Sequence, residues 1–74
     1  MSRMISWQDR IYYDVGLDAQ VARISGFDEN HQEHWMIVDV GKGYADRRLQ
    51  AVCTIRDSIE AGDPAGQVVE VSCS

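Results

Sequence analysis

Residues 34–62 constrain the fold of this chain more than any other stretch, because they join an apolar run, a glycine turn and an amphipathic pattern. The run WMIV predicts a largely buried strand over residues 34–40. After a Gly-Lys-Gly turn, apolar side chains recur at spacings of four, three, three and four, which predicts a helix that ends at Gly62, before Pro64. The apolar positions of this helix are Ala45, Leu49, Val52, Ile55 and Ile59.

The first segment, residues 6–15, has the spacing of a short amphipathic helix. Ser6 is suited to accept an amide proton at its start, and Gly16 is suited to end it. The run Ile-Tyr-Tyr at residues 11–13 is typical of strands, however. We therefore predict a helix in this segment and keep a strand as the alternative.

Residues 20–27 alternate apolar and polar side chains and predict a half-exposed strand. The polar residues 28–33 contain good turn formers and predict a hairpin loop to the strand at residues 34–40. Residues 67–73 alternate again and predict a last strand. We predict one α+β domain over residues 1–74, in α-β-β-α-β order, with a three-stranded sheet, one hairpin and a helix packed on one face. Whether the last strand lies beside the first or the second strand stays open.

Charge limits the classes of partner. Twelve acidic residues against seven basic residues give a formal net charge of −5, which disfavours direct binding to nucleic acid or to an anionic membrane, since both need a basic surface. A basic protein surface is the expected partner. The chain has no apolar run long enough to span a bilayer and no apolar core of a secretory signal, so we expect a cytoplasmic protein. A domain this small buries a thin core, which keeps a homodimer open.

Catalytic and metal-binding signatures are weak. The glycine turn at residues 41–43 lacks the spacing of a nucleotide-binding loop. His31 and His34 supply only two local metal ligands, and a cysteine, Cys53 or Cys73, would have to join them. We expect no enzymatic activity, no cofactor and no metal, and keep a metal or thiol site built from these residues as the least favoured alternative.

Carboxylates are the remaining functional signal. The candidate partner-binding residues are Asp9, Asp14, Asp18, Asp28, Glu29 and Glu33, and the alternative set is Asp57, Glu60 and Asp63. Taken singly, surface acids usually serve solubility. Taken together, they could imitate duplex DNA, which carries one negative charge about every 1.7 Å along its axis. We expect combined charge reversal of Asp28, Glu29 and Glu33 to damage binding without disturbing the fold, because their loop is predicted to lie outside the core.

In size, acidity and predicted element order, the chain resembles the small phage-encoded anti-CRISPR proteins, particularly those similar to type I-C inhibitors that imitate DNA. The residues that carry the resemblance are the acids of QDRIYYDVGLD and FDENHQE. The resemblance implies a non-enzymatic inhibitor that occupies the DNA-recognition surface of a CRISPR surveillance complex. The main alternative is a small acidic interaction module, monomeric or dimeric, that binds a basic protein unrelated to DNA.

Overall fold

The computed structural model describes residues 4–69. Its elements are β1 (Met4–Asp14), β2 (Ala19–Asp28), β3 (Glu33–Asp39), α1 (Tyr44–Glu60) and β4 (Gly66–Gln67). The strands form one mixed sheet in the order β1-β2-β3-β4, with β1, β2 and β3 antiparallel and β4 parallel to β3. The α+β class is confirmed. The three-stranded sheet and the α-β-β-α-β order are wrong, because the first segment is a fourth strand.

The strand β1 replaces the predicted first helix. It pairs with β2 at ten positions. Backbone N–H and carbonyl groups of β1 therefore form hydrogen bonds with β2, where a helix would have formed them within the segment. Successive side chains of a strand point to opposite faces, which places Trp7 and Ile11 on the side of α1 and Tyr12 on the other side. The β-prone run at residues 11–13 therefore outweighed the helical spacing.

The core lies between α1 and one face of the sheet. Its fully buried side chains are Ala22 and Ile24 of β2 and Ala51, Ile55 and Ile59 of α1. Gly26 lets the helix approach β2 closely, because a Cβ atom at this position would lie 2.9 Å from Cγ2 of Ile55. The opposite face of the sheet carries no helix within residues 4–69 and is called the open face below.

The predicted amphipathic helix is confirmed, and both of its ends use glycine. Gly43 precedes it with φ 83°, and Gly62 follows it with φ 77°. The N–H of Gly62 donates to the carbonyl of Ile59 at 3.0 Å, and the N–H of Asp63 donates to that of Ser58 at 3.1 Å, which is the hydrogen-bond pattern of a Schellman motif. Two of the five predicted apolar positions are wrong, because Ala45 is exposed and Leu49 is 63% exposed.

The last strand settles the open question of sheet order. β4 lies beside β3 and runs parallel to it, and the N–H of Val68 donates to the carbonyl of Trp35 at 2.8 Å. Residues 70–73 of the predicted strand lie outside the described residues. The chain after α1 is therefore held against the same sheet, at the edge farthest from β1.

Candidate functional site

Asp28 is the most constrained of the candidate acids. Its side chain is buried, and Oδ2 lies 2.8 Å from Nε2 of His34, which is also buried. Oδ1 accepts the N–H groups of Asn30 at 2.8 Å and of Gln32 at 3.0 Å. The hydrogen bond from His34 is the largest cause of a lowered pKa at Asp28, followed by the bond from Gln32, and burial opposes both. This carboxylate closes the β2–β3 loop and is not available to a partner.

Glu33 is also engaged within the protein. The guanidinium of Arg23 donates to both of its carboxylate oxygens, at 3.0 and 3.2 Å, and the hydroxyl of Ser25 donates to Oε2. The pKa of Glu33 is lowered, first by the bond from Ser25, while burial opposes the shift. The same guanidinium lies 4.0 Å from the ring centroid of Trp35, so Glu33 belongs to a packed cluster on the open face.

These contacts correct the prediction for the β2–β3 loop. β2 extends to Asp28 and β3 begins at Glu33, so the loop is shorter than expected. The prediction that these acids lie in a loop outside the core is wrong for Asp28, which is buried, and Glu33 is a half-buried strand residue on the open face. Of the three residues chosen for charge reversal, only Glu29 is fully exposed. Reversing Asp28 or Glu33 would perturb the fold itself, because the hydrogen-bonding groups that contact each carboxylate would lose their acceptor.

The remaining acids of the first set lie elsewhere. Asp9 accepts a hydrogen bond from Arg48 of α1 at 2.7 Å. Asp14 accepts the N–H of Leu17 at 3.0 Å in the β1–β2 turn, and Asp18 accepts the hydroxyl of Tyr13, which raises the pKa of that tyrosine. The β1–β2 turn and the β2–β3 loop lie at opposite ends of β2, about 30 Å apart at 3.4 Å per residue. The first set therefore forms no single acidic surface.

The alternative set is brought together at the end of α1. Asp57 and Glu60 lie three residues apart on neighbouring positions of the helix surface, and the Schellman motif turns Asp63 back beside them. Between this end of α1 and β4 lies a groove of about 640 Å³, called the acidic groove below. Its lining includes Asp57, Ser58, Asp63, Pro64, Val68 and Val69, whereas Glu60 lies at the end of the helix outside this lining.

The electrostatics of the acidic groove favour a cation. The C-terminal end of a helix carries a partial negative charge, which basic side chains usually offset. The last turn of α1 has no basic residue, and Asp57, Glu60 and Asp63 add three carboxylates. Asp63 accepts a hydrogen bond from the Ser58 hydroxyl at 3.3 Å, and Asp57 lies 3.6 Å from the exposed guanidinium of Arg56. These acids stand where their charge costs the helix stability.

The residues of the metal or thiol alternative are not brought together in the described chain. His34 contacts Asp28, whereas His31 is exposed in the loop with φ 61°. Cys53 is a half-buried free thiol on α1, and Cys73 lies outside the described residues. Among residues 4–69, no group of three or more histidine, cysteine or acidic side chains is placed to hold a metal ion. Within the same residues, no helix has the length and apolar character needed to cross a bilayer.

Sequence reasoning found the carboxylates of the acidic groove as an alternative but missed its apolar side. The alternation of the predicted last strand places Val69 on its covered face and Val68 on the other, and this is wrong, because Val69 is 74% exposed whereas Val68 packs against the core. Comparison of the chain with protein-family models, with curated proteins and with solved structures found no significant match.

Proposed function

We propose that the protein is a non-enzymatic binding protein that engages a basic protein surface through the acidic groove. The observation that supports this is the gathering of Asp57, Glu60 and Asp63 at the negative end of α1, beside a concave surface. An arginine or lysine of the partner would place its aliphatic stem along Val68 and Val69 and its charged head near the carboxylates. Complementary charge of this kind speeds association and selects among partners.

The more specific form of the proposal concerns a partner that normally binds DNA. The anti-CRISPR resemblance suggests the DNA-recognition surface of a CRISPR surveillance complex, where the carboxylates would stand in for phosphates. The net charge of −5 supports this form, since a basic DNA groove attracts any dense negative surface. The acidic character of the first set contributes less than expected, because Asp9, Asp28 and Glu33 have internal partners.

A basic partner unrelated to DNA is the second candidate, and the apolar side of the groove favours it. The exposed Val69 and Pro64 and the half-buried Val68 add nothing to the imitation of a phosphate backbone. They would instead contact the side-chain stems of a peptide or protein surface, as the apolar centre of an interface does. The two candidates share one site and differ in whether DNA competes for the partner.

The test compares two variants that carry the same change in net charge. Asp57→Asn/Glu60→Gln/Asp63→Asn neutralises the carboxylates at the C-terminal end of α1. Asp18→Asn/Asp39→Asn/Asp46→Asn neutralises three exposed acids at the opposite end of the molecule, near the start of α1. Binding to an arginine-rich peptide, and retention of partner proteins from a bacterial lysate, should be lost in the groove variant and kept in the control. Equal loss in both variants would mean that net charge alone drives binding, and equal retention would remove the groove from the site.

Competition then separates the two candidates. If the partner is a DNA-binding surface, duplex DNA should displace the protein, and the protein should inhibit target binding by a purified CRISPR surveillance complex. Affinity should also fall steeply with salt, because exposed charges dominate such contacts. Binding that survives excess DNA would instead support a basic partner unrelated to DNA.

A further inference from the structure

The strand β1 presents a free hydrogen-bonding edge. It is an outer strand of the sheet and pairs only with β2 among the described strands. The carbonyl of Gln20 accepts the N–H of Val40 at 3.2 Å, so Gln20 directs its backbone polar groups away from β1. Tyr13 is the residue of β1 that pairs with Gln20. Because the two members of an antiparallel pair either both face each other with their backbone polar groups or both face away, the N–H and carbonyl of Tyr13 point away from β2. By the two-residue period of a strand, the same holds for Ile11.

This edge has few of the features that prevent strands from pairing. The register irregularity of β1 lies at its far end, between Met4 and Ser6, and β1 contains no proline. Ile11 and Tyr13 are 55% and 53% exposed and lie on the α1 side, while Tyr12 lies on the open face. Long, apolar, unprotected edge strands are typical sites of pairing with another strand.

The charges that flank this run are self-complementary. The sequence from residue 10 to residue 14 is Arg-Ile-Tyr-Tyr-Asp, with opposite charges at equal distances from Tyr12. Arg23 is the residue that faces Arg10 on β2. Arg10 acts on Glu33 only through its charge, because the guanidinium of Arg23 forms the direct ion pair with that carboxylate. A second copy running antiparallel, with the two-fold axis at Tyr12, would place each Arg10 opposite Asp14 of the other copy.

We propose that the protein forms a homodimer through antiparallel pairing of the two β1 edges about Tyr12, which joins the two sheets into one of eight strands. In this register Ile11 faces Tyr13 of the second copy, and the backbone groups of these two residues are the ones that point outward. The two copies of Tyr12 face each other without mutual backbone hydrogen bonds. In an antiparallel ladder such a pair has its Cα atoms closer together than a hydrogen-bonded pair.

The inference goes beyond the proposed function and does not depend on it, because the acidic groove lies beside β4 at the opposite edge of the sheet. A second copy is the occupant that the charges favour, since Arg10 and Asp14 then satisfy each other twice by symmetry. Pairing of β1 with a strand of another protein is an outcome of the test: such a protein would be a monomer alone.

The first experiment measures the dimer by sedimentation of the full chain. We expect a concentration-dependent dimer, and charge reversal by Arg10→Glu should weaken it about ten- to hundredfold, because two ion pairs become two repulsions. Asp14→Asn should weaken it less, and it keeps the side-chain oxygen that accepts the N–H of Leu17, so the turn is preserved. The double variant Arg10→Glu/Asp14→Lys exchanges the charges and should restore the dimer. A wild-type monomer at high concentration, or a dimer that ignores these changes, would overturn the proposal.

The second experiment tests the register. In a background in which Cys53 and Cys73 are replaced by serine, Tyr12→Cys should form a disulfide-linked dimer on mild oxidation. The Cα atoms of such a pair lie about 4.5 Å apart, within the range of a disulfide. Ile11→Cys is the matched control, because two copies of residue 11 are diagonal neighbours about 7–8 Å apart and should not crosslink. Crosslinking at residue 11 without crosslinking at residue 12 would refute this register.

Discussion

Removing the negative charges of the acidic groove should make the protein more stable while it weakens binding. Asp57, Glu60 and Asp63 oppose the partial negative charge at the end of α1, where the last turn has no basic residue. The variant Asp57→Asn/Glu60→Gln/Asp63→Asn keeps each side chain's shape and its ability to accept hydrogen bonds. It therefore isolates the charge from the packing of the Schellman motif.

The size of this effect follows from the geometry. An exposed carboxylate at a helix C-terminus costs about 0.3–1 kcal/mol at low ionic strength. Asp57 recovers part of that cost from Arg56 at 3.6 Å, since an exposed ion pair contributes roughly 0–1 kcal/mol. Glu60 and Asp63 then dominate, for a total of about 1 kcal/mol. In a domain of this size that gain raises the Tm by about 4–8 °C.

Thermal unfolding followed by circular dichroism at low salt measures the gain. The increase in Tm should shrink at molar salt, where the screening length falls to about 3 Å. Glu29→Gln is the matched control, because Glu29 is exposed in the β2–β3 loop and its loss should change stability by less than about 0.5 kcal/mol. If the groove variant had an unchanged or lowered Tm, repulsion between these carboxylates and the partial negative charge at the end of α1 would not be what destabilises the wild-type protein.

Two further predictions concern the fold that holds the groove in place. Gly26→Ala should destabilise the protein by about 1–3 kcal/mol in urea unfolding, because the new methyl group would lie 2.9 Å from Ile55 and 3.2 Å from Trp7; an unchanged midpoint would show that α1 shifts freely. Asp28 and Glu33 have lowered pKa values in the folded protein, so their contribution is complete above their ordinary values of 3.8 and 4.5 and is lost as the pH falls through the folded values. The urea midpoint of the wild type should therefore fall as the pH is lowered below about 4.5, and that of Asp28→Asn should fall less. Identical pH profiles in the two proteins would show that the Asp28 carboxylate does not stabilise the fold.

The helix α1 and the β2–β3 hairpin could be predicted because their periodic patterns of apolar residues extend over many residues and end at turn-forming residues. β1 could not, because Trp7, Ile11 and Val15 have helical spacing, whereas the strand is stabilised by ten pairings with β2 that no local pattern reveals. Leu49 was wrongly predicted to lie on the buried side of α1 because local spacing does not show which side of the helix faces the sheet. The side of α1 that faces the sheet is centred on Ala51 and Ile55, and alanine gives a weak hydrophobic signal.

The candidate site was predicted in part. Asp28, Glu29 and Glu33 are close in sequence, but side-chain hydrogen bonds to His34 and Arg23 engage two of them, and sequence spacing does not show which acids find internal partners. The acids at the end of α1 could be found because residues 57–74 contain four acids and no basic residue. Their groove could not be found, since it depends on the parallel placement of β4, which the sequence left open.

The position of the acidic groove beside β4 has a geometric consequence for the proposed dimer. Neighbouring strands lie about 4.8 Å apart, so the two β4 strands at the outer edges of an eight-stranded sheet would be separated by about 34 Å. One turn of B-DNA spans about 34–36 Å. Two acidic grooves at that separation would let one dimer contact two basic sites of a partner whose spacing matches one turn of B-DNA. Once the first groove is bound, the second contact would form at a high effective concentration.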